Sequence, residues 1–294
     1  AGGEGESPAG SLITALRETA LAGLPSLLTS VLLQTESTLR IPVLHDPSAA
    51  AAALPSNFVP VAAAVLRLFN ATARFGPEIA QEALSSPDLR VETHHLLSFV
   101  LALCAAEWDT AVAAGTYAAR HRKSGGGGGR TPTVIPTAAM GGGGKRPGGS
   151  DNAGATTEEL SELLDQTVLF IGSFALLCPA NQDMLCWGRA PTLMQRLPDL
   201  PFEYYSSPDK IAVLFPTLVS VAFGHGTNRR LIANELSLEM VLDFVGKERR
   251  ARVSGAATAA AAAGLPPQFG FAARFPPALW ADVEAYFGPD GDQC

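Results

Sequence analysis

Apolar positions along the chain recur at spacings of three and four residues instead of alternating. The clearest run follows Thr156 and forms one apolar helical face, made of Leu160, Leu163, Leu164, Val168, Ile171 and Phe174. That period is typical of an amphipathic α-helix. Thr156 and Glu159 stand at the spacing of a capping box, which favours a helix start directly before the run. Because no segment shows convincing strand-like alternation, the pattern predicts an all-α fold.

Prolines indicate where other helices begin. Ser86-Pro87 and Ser207-Pro208 each offer a hydroxyl at the N-cap and a proline at the first helical position. Pro277 is predicted to begin a last helix that ends at Gly288. The apolar stripe of that helix comprises Leu279, Trp280, Val283, Tyr286 and Phe287. Since this stripe is too apolar to face water, we expect it to dock as the terminal cap of the fold.

Two segments predict an internal repeat. Val168–Pro198 and Val213–Phe244 each contain a long apolar helix, a break, an asparagine, a short helix and the start of another helix. The two asparagines, Asn181 and Asn228, are 47 positions apart (228 minus 181), within the range of armadillo and HEAT units. A fainter copy begins at Phe58. Each such unit has a face that only its neighbours can bury, so we predict an armadillo/HEAT-like helical solenoid.

Two low-complexity stretches interrupt this pattern. Ser124–Gly149 is dominated by glycine and has no apolar period, which predicts a disordered insertion. Ser254–Gly264 is mostly alanine between glycines and prolines, which indicates a loop able to hold one helical turn. The predicted organisation is a disordered leader 1–10, an N-terminal helical part 11–123, a Gly-rich insertion 124–155, helical repeats 156–253, an Ala/Gly/Pro-rich loop 254–270, and a capping helix with a tail 271–294.

Charge and composition narrow the classes of function. The chain has 294 residues, 47% of them hydrophobic, and a formal net charge of −7. The six Arg and Lys residues between Arg120 and Ser150 have no acidic neighbours there, so the remainder carries about −13 (−7 minus 6). An acidic body argues against general nucleic-acid binding but permits a local basic patch.

No apolar run reaches the length of a membrane span, and the cysteines form no CxxC pair, as expected in the cytosol. Because the chain begins at Ala1 without a methionine, we expect it to be part of a longer polypeptide.

No residue pattern points to catalysis. The histidines His45, His94, His95, His121 and His225 lack partners at metal-ligand spacing. No serine stands in a GxSxG elbow, and the Gly141–Gly144 run is followed by Lys145 without the hydroxyl residue of a phosphate loop. We therefore expect no metal, no cofactor and no enzymatic activity.

Basic residues form a first candidate binding site. The candidates for ribosome or RNA contact are Arg229, Arg230, Lys247, Arg249, Arg250 and Arg252, most of which are predicted to follow the helix that ends at Val245. One interpretation is a patch that contacts phosphates. The other is that these cations only complement the negative end of a helix dipole. The sequence leaves both open.

Aromatic residues form two further candidate sites for protein docking. Trp187 and Arg189 lie near Asn181, although the simplest interpretations are a core tryptophan and an N-cap asparagine. Phe202, Tyr204 and Tyr205 crowd a loop bounded by prolines. That loop is either a docking surface or a lid over the hydrophobic core, and the pattern favours the lid.

The region between Phe170 and Leu218 resembles a known protein family. The segments that carry it are Asn181-Gln182-Asp183, Trp187–Leu197, Leu200–Pro208 and Val213–Leu218. They resemble the C-terminal region of the SCAPER family, the S-phase cyclin A-associated proteins of the endoplasmic reticulum. Collinear stretches with the same likeness run from Leu54 to Phe99 and from Arg274 to Phe287. The resemblance covers most of the chain outside the two low-complexity stretches.

The resemblance implies a non-enzymatic adaptor in the cytoplasm, associated with the endoplasmic reticulum. In tubulin autoregulation such an adaptor would dock on translating ribosomes together with a tetratricopeptide-repeat sensor of nascent tubulin. It would link them to the cytoplasmic deadenylase complex that degrades the message, in part through other regions of the full-length protein. The alternative is a protein scaffold in cyclin A-type or ciliary complexes without ribosome contact. Salt-sensitive ribosome binding would separate the two.

Overall fold

The computed structural model describes residues 55–113 and 156–289, together with isolated positions between 10 and 27; side chains of the first segment are described as far as residue 105. Within these residues every regular element is helical and no strand occurs, so the all-α prediction is confirmed. The predicted insertion Ser124–Gly149 lies outside the described residues, as does the predicted leader apart from Gly10.

Thirteen α-helices lie in the described residues. In the first segment they are α1 Phe58–Ala73, α2 Pro77–Ala83 and α3 Pro87–Ala113. In the second segment they are α4 Thr157–Ala175, α5 Pro179–Met184, α6 Leu193–Arg196, α7 Glu203–Ser206, α8 Pro208–Ala222, α9 Gly226–Glu235, α10 Leu238–Ser254, α11 Ala259–Ala262, α12 Phe271–Arg274 and α13 Trp280–Phe287. Short 3-10 turns cover Pro267–Phe269 and Pro277–Leu279.

The helix starts predicted at Ser86, Thr156 and Ser207 are correct in position, and two of these three residues make the predicted capping hydrogen bond. Thr156 Oγ1 accepts the backbone N–H of Glu159, whose carboxylate accepts the N–H of Thr156, so the capping box is confirmed. Ser86 likewise accepts a backbone N–H three residues on. Ser207 precedes α8 as predicted, but its hydroxyl donates to Asp209 Oδ1 at 2.7 Å. The prediction that this hydroxyl caps the helix is wrong, since it accepts no backbone N–H of α8.

Helix α4 is the centre of the core. It packs against α1 and α3 on one side and against α8 on the other. Its whole predicted apolar face is buried, namely Leu160, Leu163, Leu164, Val168, Ile171 and Phe174. Burying such a face removes apolar surface from water at about 25 cal/mol per Å², which makes α4 the main hydrophobic contributor to this part of the fold.

Glutamines in the short helices tie neighbouring long helices together. One glutamine amide of α2 donates to two carbonyls at the C-terminal end of α4, and one of α5 donates to two carbonyls at the C-terminal end of α8. The bonds are Gln81 Nε2 to the oxygens of Ser173 (3.0 Å) and Leu176 (2.9 Å), and Gln182 Nε2 to the oxygens of Ser220 (2.9 Å) and Phe223 (3.0 Å). The two pairs of acceptors are 47 positions apart. These side chains satisfy carbonyls that a helix end leaves without an intrahelical partner.

The two asparagines of the predicted repeat make the same bond. Asn181 Nδ2 donates to the carbonyl of Phe174, and Asn228 Nδ2 donates to that of Val221, both at 2.8 Å. The N-cap interpretation of Asn181 is wrong, because Cys178 is the N-cap and Asn181 lies inside α5. The repeat therefore shares backbone layout and hydrogen bonds, and the packing is compatible with armadillo/HEAT-like stacking, which stays a prediction.

The Ala-rich stretch contains the helical turn that the sequence allows. Helix α11 begins after Thr258, whose hydroxyl accepts the N–H of Ala261. The buried carboxylate of Glu248 in α10 accepts the N–H of Ala259 at 2.6 Å. Burial raises the pKa of Glu248, and the Ala259 N–H opposes that shift. The predicted loop therefore contains a helical turn, α11, which Glu248 of α10 holds by a hydrogen bond.

The C-terminal helix caps the fold as predicted, with a later start. Pro277 begins a 3-10 turn, and α13 itself begins at Trp280. Trp280, Val283 and Phe287 are buried, while Leu279 and Tyr286 pack at the edge of the core. The predicted stripe is thus confirmed.

Candidate protein-interaction surfaces

The predicted aromatic loop divides into a lid and an exposed side chain. Tyr204 is fully buried and Tyr205 is half-buried, whereas Phe202, the residue before α7, is 79% exposed. The prediction of a lid holds for both tyrosines. Tyr204 as a docking residue is wrong, because its side chain has no accessible surface. Phe202 alone of the three presents a large apolar group to solvent.

A buried polar cluster holds Tyr204. Its hydroxyl donates to Asp165 Oδ1 at 2.6 Å, and Lys210 Nζ donates to Asp165 Oδ2 at 2.6 Å and to Ser161 Oγ at 3.1 Å. Burial, followed by the negative charge of Asp165, raises the pKa of Tyr204 well above its ordinary value. The phenol thus stays protonated and donates, which fixes α7 and α8 to α4.

Tyr205 fixes the other side of the same loop. Its hydroxyl donates to the carbonyl of Pro198 at 2.8 Å, and its ring meets Phe215 edge to face. Burial is the main cause that raises the pKa of Tyr205, and Asp199 adds to it. Phe202 therefore stands on a loop that two anchored tyrosines hold in place.

The Trp187 loop is a second surface. Trp187 is 41% exposed, so its interpretation as a core residue is wrong, and Arg189 is exposed beside it. The Trp187 carbonyl lies 3.2 Å from His94 Nε2 of α3. Burial lowers the pKa of His94, His95 lowers it further, and the Trp187 carbonyl opposes the shift. A neutral imidazole therefore fits beneath the loop.

The basic cluster lies within a helix instead of after one. Helix α10 continues to Ser254, because its apolar face resumes beyond Val245 with the buried residue Ala251. Lys247 pairs with Asp243 one turn earlier at 2.6 Å. Arg249 pairs with Glu284 of α13 at 3.0 Å. Two of the predicted phosphate contacts are thus partly neutralised by the protein's own carboxylates.

The remaining basic candidates differ in exposure. Arg229 is buried, with its Nη2 3.3 Å from the carbonyl of Gly288 and its guanidinium carbon 5.7 Å from the Tyr286 ring centroid, so it does not belong to an exposed patch. The Arg252 guanidinium carbon lies 6.0 Å from the Trp280 ring centroid. Arg230 and Arg250 are exposed, and in the described part of the chain neither pairs with a carboxylate. These two are the most available for a partner.

The described residues hold no group of three metal-ligand side chains. His94 and His95 have ring centroids 5.6 Å apart at a 72° angle, and His225 Nε2 lies 2.8 Å from Asp183 Oδ1. His45 and His121 lie outside the described residues. None of the helices described is both long and apolar enough to traverse a bilayer.

Sequence reasoning missed a polar face on α1. Arg67, Asn70 and Ala71 of α1, with Arg74 directly after this helix, line one cavity against α4. Their spacings of three, four and seven residues place them on one side of a helix, and this was the available signal. It was hidden because the apolar period of α1 indicates burial of the opposite face more strongly.

No protein-family model matches the chain. A search among characterised proteins finds the human S phase cyclin A-associated protein in the endoplasmic reticulum, 30% identical over 131 residues. The chain is similar to part of SCAPER. The match covers 42% of this chain and 9% of human SCAPER, so the chain corresponds to a small part of that relative. The predicted resemblance to SCAPER is thereby confirmed over part of the chain, and its extent over most of the chain stays a prediction. The relative's name records cyclin A association and the endoplasmic reticulum for SCAPER itself.

Proposed function

We propose that the chain is a non-enzymatic adaptor domain that presents Phe202 to a protein partner. The observation that carries this proposal is a phenylalanine 79% exposed on a loop held by two hydrogen-bonded tyrosine hydroxyls. A large apolar side chain in water costs free energy, which a partner's pocket would recover. Aromatic anchors of this kind dominate the binding energy of many protein interfaces.

The rigidity of the loop strengthens the case. Ordering a flexible loop on binding costs conformational entropy, and a loop already held in place avoids most of that cost. Tyr204 and Tyr205 supply the restraint through Asp165 and Pro198. Trp187 and Arg189 would give a second contact of the same kind, with an aromatic face and a cation.

For the partner we propose the translating ribosome together with a tetratricopeptide-repeat sensor of nascent tubulin. The link to the deadenylase complex and to decay of tubulin mRNA would run through other parts of a longer protein. Similarity to SCAPER and the exposed Arg230 and Arg250 support this assignment. The corresponding location is the cytoplasm, at the endoplasmic reticulum.

The second candidate is a scaffold in cyclin A-type or ciliary complexes without ribosome contact. The name of the SCAPER relative supports the cyclin A arm. The pairing of Lys247 and Arg249 with carboxylates also supports it, since paired cations attract phosphate weakly. Both candidates use the chain as a binding module.

Ribosome co-sedimentation with and without the tetratricopeptide factor tests the first candidate. We expect the wild-type chain to pellet with ribosomes and Phe202→Ala to lose about tenfold or more in affinity. Phe75→Ala is the matched control, because Phe75 is 76% exposed elsewhere and should leave binding unchanged. Equal binding by both variants would remove Phe202 from the interface.

Charge reversal separates the two candidates. Arg230→Glu with Arg250→Glu spares the pairs made by Lys247 and Arg249, so the fold should be kept. If both arginines contact phosphates, the log–log salt slope of ribosome binding should fall by about 2 in magnitude. Binding that ignores both salt and the reversal would favour the protein scaffold.

A further inference from the structure

An unassigned cavity of about 460 Å³ lies between α1, α4 and the segment 268–276. Its volume falls in the range of ligand pockets, which is roughly 300–1,000 Å³. The mouth is formed by exposed residues of α1 and α12, among them Ala71 and Arg74. The cavity is separate from the Phe202 loop and does not depend on its proposed role.

The neighbouring groove shows how such a space is filled. Between α4 and α8, Arg274 Nη1 donates to the carbonyls of Ala212 and Val213 at 2.8 Å, and its Nη2 donates to Thr217 Oγ1 at 2.6 Å. A Cβ at Gly172 would lie 3.1 Å from that Nη2, so the glycine makes room for the guanidinium. The chain's own arginine thus closes the α4–α8 groove, while the α1–α4 groove stays open.

The open cavity is positively charged. Arg67, Arg74 and Arg274 line it, and no aspartate or glutamate is among its lining residues in the part of the chain described. Burial lowers the pKa of Arg274 to about 9, so this group is still charged at neutral pH. Arg67 shares its charge with Glu162 at 3.0 Å, whereas Arg74 is exposed and has no ion pair among the described residues.

The inner wall of the cavity is apolar. Leu169 and Leu176 come from α4, and Phe269 and Phe275 come from the C-terminal segment. A ligand that matches both surfaces needs an apolar group for this wall and negative charge for the arginines at the rim. A free inorganic anion satisfies only the second requirement, and an apolar small molecule only the first.

We propose that this cavity binds an acidic peptide segment of a partner protein. One aromatic or aliphatic side chain of the peptide inserts against Leu169 and Phe269, and flanking carboxylates bind at Arg67 and Arg74. Arginine suits this role because its planar guanidinium donates two parallel hydrogen bonds to a carboxylate. The acidic character of the whole chain makes the cationic cavity a local feature that steers such a peptide to one place.

Fluorescence anisotropy with a labelled Glu-Glu-Phe-Glu-Glu peptide and the full chain tests the proposal. We expect saturable binding that weakens as NaCl rises from about 50 to about 300 mM. Arg74→Glu should weaken it about tenfold or more by charge repulsion. Ala71→Trp should weaken it by filling the mouth without changing the charge. Val253→Glu, which adds a negative charge at an exposed position outside the cavity, is the control and should bind like the wild type.

Matched peptides test each half of the recognition. Gln-Gln-Phe-Gln-Gln removes the charges and Glu-Glu-Ser-Glu-Glu removes the apolar anchor, and both should bind more weakly than the parent peptide. Circular dichroism confirms that Arg74→Glu and Ala71→Trp keep the helical fold. Absence of saturable binding, or binding unchanged by both variants, would overturn the proposal. Stronger binding of a uridine oligonucleotide that Arg74→Glu abolishes would also overturn it in favour of a nucleic acid.

Discussion

The short helices α5 and α9 occupy equivalent places in the two repeat units, yet they reach different neighbours. In both, an asparagine bonds the carbonyl seven residues earlier. The next residue is Gln182 in α5 and Arg229 in α9. Gln182 bonds the end of α8, whereas Arg229 bonds the carbonyl of Gly288 at the end of α13. Helix α13 therefore stands to the second unit as α8 stands to the first.

The difference shows how the last unit is closed. A glutamine amide suffices where the next long helix belongs to the following repeat unit. At the end of the array, a longer cation reaches the C-terminus of a helix from another part of the chain and lies over the ring of Tyr286. A cation is also favoured near the partial negative charge of a helix C-terminus. In the second unit a charged arginine thus makes the contact that a neutral glutamine makes in the first.

The largest expected effect comes from weakening the contact between α13 and the core. Trp280 is 2% exposed, stacks on Phe271 with ring centroids 4.7 Å apart, and donates its indole N–H to the carbonyl of Phe275. Trp280→Ala should lower the free energy of unfolding by about 3–5 kcal/mol. Urea denaturation followed by circular dichroism measures this loss.

Trp187→Ala is the control for that experiment. Because Trp187 is 41% exposed, its truncation should cost about 1 kcal/mol or less. Equal midpoints for Trp280→Ala and the wild type would show that α13 does not close the second unit.

The two asparagines should contribute unequally to the free energy of unfolding although their positions are equivalent. Asn228 also donates to the carbonyl of Gln182 and accepts from the Cys186 thiol. Asn228→Ala should therefore cost about 2–3 kcal/mol and Asn181→Ala about 1–2 kcal/mol. Asn234→Ala, exposed in the same helix α9, should be nearly neutral. Reversal of the order of Asn228 and Asn181 in equilibrium unfolding would contradict the assignment of their bonds.

The stabilisation that each of these two glutamines provides should increase with its burial. Gln182→Met keeps the side-chain volume but leaves two carbonyls without a donor, so we expect a loss of about 1–2 kcal/mol. Gln81→Met should cost less, because Gln81 is only half-buried and water can reach the acceptors that it leaves. Chemical denaturation of both variants compares them. If Gln81→Met were the more damaging, the first tie and not the second would be the stronger link.

The smallest expected effect is a loss of stability on acidification through His94, whose Nε2 lies 3.2 Å from the Trp187 carbonyl of the first unit. The folded-state pKa of His94 lies below its ordinary value of 6.5, chiefly because of burial. The unfolded chain therefore takes up a proton first, and stability that is complete above about pH 6.5 is lost as pH falls through the folded-state pKa. Urea midpoints at pH 7.5 and 5.5 should differ more in the wild type than in His94→Gln. His95→Gln removes one of the causes that lower this pKa, so its pH dependence should lie between those of the wild type and His94→Gln.

Much of the fold could be predicted because periodic burial is a local property. The stripes of α4 and α13 and the capping box at Thr156 depend on residues within a few turns of each other. The 47-residue repeat was visible through its asparagines, although not the bond that they make. That bond depends on where the previous helix ends, which the break in the pattern fixes only to within a few residues.

The candidate sites were less predictable because exposure depends on distant partners. Arg229 and Arg230 are neighbours in sequence, yet one is buried beneath α13 and the other is exposed. Tyr204 is buried because Asp165 and Lys210, 39 and six positions away in sequence, meet its hydroxyl and ring. Sequence position places Arg229, Arg230 and Tyr204 in candidate clusters, and only the packing of the helices separates the buried residues from the exposed one.

At position 172, helix propensity favours alanine, whereas packing favours the glycine that is present. At an exposed position in a helix, replacing glycine by alanine stabilises by about 1 kcal/mol. Here an added methyl group would lie 2.7 Å from Thr217 Oγ1 and 3.1 Å from Arg274 Nη2, so the helix would gain while the joint between α4, α8 and the C-terminal segment would loosen. A more stable α4 would therefore come with a less stable domain, because the glycine that makes room for Arg274 of the C-terminal segment would be lost.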